Sequence, residues 1–65
     1  MSSTSPVRLE VELTDDQAWN LAQFVKRVGF ADVRTNAVDQ DEAYAMLEAI
    51  DVLAKALRAA GYAPR

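Results

Sequence analysis

The sequence predicts an α+β fold with one N-terminal strand and two main helices, on three observations. Val7, Leu9, Val11 and Leu13 alternate with Arg8, Glu10 and Glu12, the period-2 pattern of a strand with one buried face. Thr14 with Gln17, and again Asp39 with Glu42, have the spacing of a helix N-terminal capping box. Gly29-Phe30 and Gly61-Tyr62 supply two matching helix stops, each a glycine after a basic last turn and before an aromatic residue.

In chain order, the first six residues are polar and end in Pro6, with no basic stretch leading into an apolar run. They read as a flexible tail (1–6), neither signal peptide nor membrane anchor, ahead of a single small domain at 7–65. The strand covers about 7–13. A first helix runs over about 15–28, with Asp15 and Asp16 in a first turn that favours negative charge. At 100° per residue its apolar arc is Ala18, Leu21, Ala22, Phe24, Val25 and Val28, and this arc is expected to pack on the strand. Gly29 is expected to be left-handed, with Phe30 folding back on Val25.

Residues 31–38 hold neither glycine nor proline and stay open between an irregular loop, one helical turn and a short second strand through Val33, Thr35 and Ala37. A second helix occupies about 40–60. Its core stripe is Ala43, Met46, Leu47, Ile50, Leu53, Ala54 and Leu57, and a mixed charged side carries Asp41, Tyr44, Glu48, Asp51, Lys55 and Arg58. Between them Ala45, Ala49, Val52 and Ala56 form a smooth strip, which suits either close approach of another helix or simple helix propensity.

Composition narrows function more than it names it. A chain of 65 residues buries only about 60% of its unfolded surface, so it relies on packing or on a partner. It has no cysteine and no histidine, which removes disulfides, a structural zinc site, the commonest general base and the most reactive nucleophile. The expectation is a non-enzyme without cofactor or metal. The run Asp39-Gln40-Asp41-Glu42 lacks the glycine turn and distal glutamate of a calcium loop and reads as helix-start charge. Net charge −3 disfavours direct nucleic-acid binding. No apolar run reaches the ~18 residues of a membrane span, and the absence of cysteine suits a cytoplasmic protein.

The candidate partner-binding residues are therefore the acids and the edge aromatics. Glu10 and Glu12 lie on the strand, Asp15 and Asp16 at one helix start, Asp39, Asp41 and Glu42 at the other, and Glu48 and Asp51 beyond. Brought together, these carboxylates present a negative surface resembling a phosphate track. Trp19 and Tyr44 flank the apolar arcs and combine large area with one polar handle.

A lone strand also needs an edge to pair with: the 31–38 segment, a second copy across a two-fold axis, or a different protein. The strand-helix-helix order from Val7 to about Leu57 resembles ribbon-helix-helix proteins, which implies a homodimeric regulator or antitoxin paired through residues 7–13. The chain departs from that pattern in its outward Arg8, Glu10 and Glu12 and in its long connection between helices. In size, charge and lack of catalytic equipment it resembles small acidic proteins of bacterial phages and mobile elements, among them anti-CRISPR inhibitors. That resemblance implies a protein-binding inhibitor that blocks a nucleic-acid-binding surface of a larger, basic protein or nucleoprotein complex.

Overall fold

In the computed structural model, which describes residues 5–64, the chain forms three helices: α1 (Asp15–Arg27), α2 (Phe30–Thr35) and α3 (Gln40–Ala59). Most of the expected N-terminal tail lies outside the described residues. Among them there is no strand, so the α+β expectation is overturned and the fold is all-helical. Residues 7–13 run without turn or bend, yet their backbone makes no hydrogen bond to the other described residues. Alternation sets which side of an extended segment is apolar, but a ladder requires a neighbouring backbone. The one internal candidate, 31–38, begins with helix α2 instead.

α1 starts on the expected capping box. The Gln17 N–H donates to Thr14 Oγ1 at 3.1 Å, and the Thr14 N–H donates to Gln17 Oε1 at 2.9 Å. At its other end the chain departs from the expected left-handed stop. Gly29 has φ −117° and ψ 177°, an extended conformation, and it is the N-cap of α2. The Gly29 N–H donates to Asp32 Oδ2 at 3.1 Å, while Thr35 and Asn36 side chains donate to the Ala31 and Asp32 carbonyls and close the short helix. Phe30 meets Tyr44 across a ring separation of 4.9 Å, so it is fastened to α3 and not folded back on Val25.

α3 begins where Asp39 Oδ1 accepts the Glu42 N–H at 2.8 Å; the Glu42 carboxylate accepts from the Val38 N–H, one residue earlier than a capping box places it. Its end is a Schellman motif. The Tyr62 N–H donates to the Leu57 carbonyl and the Gly61 N–H to the Arg58 carbonyl, with Gly61 at φ +101°. A Cβ at Gly61 meets nothing within 4 Å, so Gly61→Ala carries only the backbone penalty. The expected loss is about 1 kcal/mol in urea unfolding, and an unchanged midpoint would show that the turn relaxes.

α1 and α2 both lie against α3. Ala18 and Leu21 share a concavity with Leu53 and Leu57, whereas Phe24 and Val28 share another with Met46 and Ile50, so α1 and α3 run antiparallel. The buried residues are Ala18, Ala22, Val33, Ala43 and Leu57. Three alanines among five let the helices approach closely but bury little apolar area. The molecule measures 34 × 30 × 16 Å, and its thin dimension is little more than one helix with side chains, about 10–12 Å. No helix among the described residues is long and apolar enough to cross a membrane.

Candidate functional site

The packing leaves apolar surface open, and one such face joins the N-terminal segment to α3. The row Val7, Leu9, Val11 and Leu13 shares a concavity of about 730 Å³ with the strip Ala49, Val52 and Ala56 of α3 and its C-cap Ala60, lined also by Ala18, Leu21, Leu53 and Leu57. Val7, Leu9 and Val11 are 81%, 79% and 72% exposed, and Val52 is 68% exposed. Together these side chains form one contiguous exposed apolar patch. Both halves were legible separately: the alternating row was expected to pack within the domain, and the smooth strip was one candidate for approach by another helix.

The acidic candidates are not brought together. Asp15 and Asp16 open α1, beside the C-terminal end of α3, while Asp39, Asp41 and Glu42 sit at its N-terminal end. The 20 residues of α3 place these groups roughly 30 Å apart. Glu10 and Glu12 are exposed on the N-terminal segment. Asp41, Glu48 and Asp51 follow one exposed stripe of α3, where Asp51 is paired with Lys55 at 3.1 Å. That exposed i, i+4 pair adds little stability. Among the described residues no acidic group has the geometry of a metal site.

The aromatic candidates serve the fold first. Trp19 meets Tyr62 edge to face, with ring centroids 5.0 Å apart, and the Tyr62 hydroxyl donates to Asp15 Oδ1 at 2.7 Å. Lys26 Nζ donates to the Pro64 carbonyl at 3.1 Å. The C-terminal residues are thus strapped along α1, a role for Tyr62 beyond the helix stop that its sequence position suggested. Tyr44 is half exposed against Phe30. Sequence reasoning also passed over the Gly29-to-Asp32 spacing, a helix-start signal that locates α2.

The hydrogen bond to Asp15 raises the Tyr62 pKa above its ordinary value of 10.0, with desolvation and the nearby carboxylate charge adding to it. The folded state therefore holds this proton more tightly than the unfolded chain. Its contribution to stability is complete below pH 10 and lost as pH rises through the higher folded value. Tyr62→Phe keeps the ring on Trp19 and removes the hydroxyl. The stability gap between wild type and this variant is expected to close above pH 10, read by Trp19 fluorescence in urea; a gap constant to pH 11 contradicts the hydrogen bond.

No curated protein and no solved structure matches the chain. A family model described as a family of unknown function (DUF7706) matches residues 1–65. With its whole length covered by that model, the chain belongs to the DUF7706 family.

Proposed function

We propose that the chain is a non-enzymatic, cytoplasmic protein-binding module that docks its partner in the apolar groove between residues 7–13 and the α3 strip. The observation that carries this reading is the groove itself, with three large aliphatic side chains more than 70% exposed along one wall. Absence of histidine and cysteine supports the non-enzymatic part, and absence of cysteine suits a reducing compartment. The test compares partner retention by the tagged full chain with that by Ala49→Lys/Ala56→Lys, two exposed positions, with circular dichroism checking that the helix is retained. Retention is expected to be lost, and undiminished retention would sink the reading.

A second mode, an acidic inhibitor covering a nucleic-acid-binding surface of a basic partner, draws support from the net charge of −3 and from the stripe Asp41, Glu48 and Asp51. Separation of the two acidic helix starts leaves it less well supported than the groove. Salt discriminates the two. Groove binding survives about 1 M salt, where the Debye length is about 3 Å, whereas charge-driven binding is lost there and on reversal of Asp39, Asp41 and Glu42.

A further inference from the structure

We infer that the occupant of the groove is a second copy of this chain, its residues 7–13 paired antiparallel with those of the first about a two-fold axis at Leu9. This rests on the binding-module reading and names its partner. The first reason is the uncovered apolar row itself, in which Val7, Leu9 and Val11 are 81%, 79% and 72% exposed on a segment whose backbone has no partner among the described residues.

The segment itself is self-complementary. Pairing about Leu9 sets Leu9 against Leu9 and Val7 against Val11, and places Arg8 opposite Glu10 of the other copy on both sides of the axis. Pairing about Glu10 instead sets Glu10 against Glu10, two like charges at the axis. Charge therefore selects the Leu9 register. Pro6, which has no N–H, then falls opposite Glu12 at the end of the ribbon, where proline is tolerated. Residues directly opposite share one face of an antiparallel ribbon, so the two apolar rows form one surface. A ribbon of two strands is marginal alone, and the α3 strip already lines the same groove as this row to receive it.

Sedimentation of the full chain tests the inference, together with cysteine scanning in a chain that has no cysteine of its own. Wild type is expected to sediment as a dimer at micromolar concentration, and Leu9→Asp as a folded monomer. On oxidation Leu9→Cys is expected to give a covalent dimer faster than Glu10→Cys, because only the axial residue faces itself at about 4.5–5.5 Å between Cα atoms. Arg8→Glu should weaken association about tenfold, the loss being repeated on both sides of the axis, and Arg8→Glu/Glu10→Arg should restore it. A monomer at all concentrations, a dimer indifferent to Leu9→Asp, faster crosslinking through position 10, or no rescue by the double reversal overturns the inference. If a monomer nonetheless binds a different protein and loses it on Ala49→Lys/Ala56→Lys, the second copy is excluded while the binding-module reading stands. If those lysines affect neither association nor retention, the reading itself fails.

Discussion

Replacing Leu57 with alanine is expected to remove about 2–5 kcal/mol of stability, the cost of losing a buried leucine side chain together with the cavity left behind. Leu57 is 6% exposed and is the largest of the buried side chains, the others being valine and alanine. It borders the concavity shared with Ala22 and Val25 on one side and the groove with Ala18 and Leu21 on the other, so it joins α1 to α3. At ~0.05–0.15 kcal/mol per residue, 65 residues hold only about 3–10 kcal/mol in total. The variant should therefore be largely unfolded at 37 °C and show a greatly lowered urea midpoint. Chain concentration must be held fixed, because the proposed self-association makes stability concentration-dependent. A loss below about 1 kcal/mol would mean that the α1–α3 contact is not what holds the helices together.

The second large effect is overpacking at Ala43. This residue has 0% exposure in the first turns of α3, beside Tyr44, through which α3 meets Phe30 of α2. Ala43→Leu adds three carbon atoms where there is no room, and it should cost about 1–3 kcal/mol by pushing apart what packs on the start of α3. Ala45→Leu, two positions along and exposed, is the control and should stay within about 0.5 kcal/mol of wild type. Equal behaviour of the two variants in thermal unfolding would show that α2 is not seated on α3 as described. The site is sensitive because Val33 is the one buried residue of α2, leaving this short helix few other contacts to fall back on.

Local signals in the sequence proved sufficient wherever the chain satisfies itself within a few residues. Thr14 with Gln17, Asp39 with Glu42 and Gly61 with Tyr62 each close hydrogen bonds across three to five positions, so α1 begins, and α3 begins and ends, close to where those residues predict. Gly29 misled because a glycine after a basic turn suits either a left-handed stop or the extended cap of the next helix. Asp32 and the seat of Phe30 on Tyr44 decide for the cap. The candidate site was legible only in halves, as an alternating row and as a smooth strip, because nothing local relates residue 9 to residue 52.

By itself, then, the sequence determined the faces: which side of residues 7–13 is apolar, which stripe of α3 is small, and where charge gathers at helix starts. Tertiary structure decided which faces meet. Antiparallel packing of α1 on α3 sent the acidic helix starts to opposite ends, and Tyr62 tied the C-terminus to Asp15. The apolar row was left extended and uncovered, because a strand is made by hydrogen bonds to a neighbour, and no other segment among the described residues supplies one.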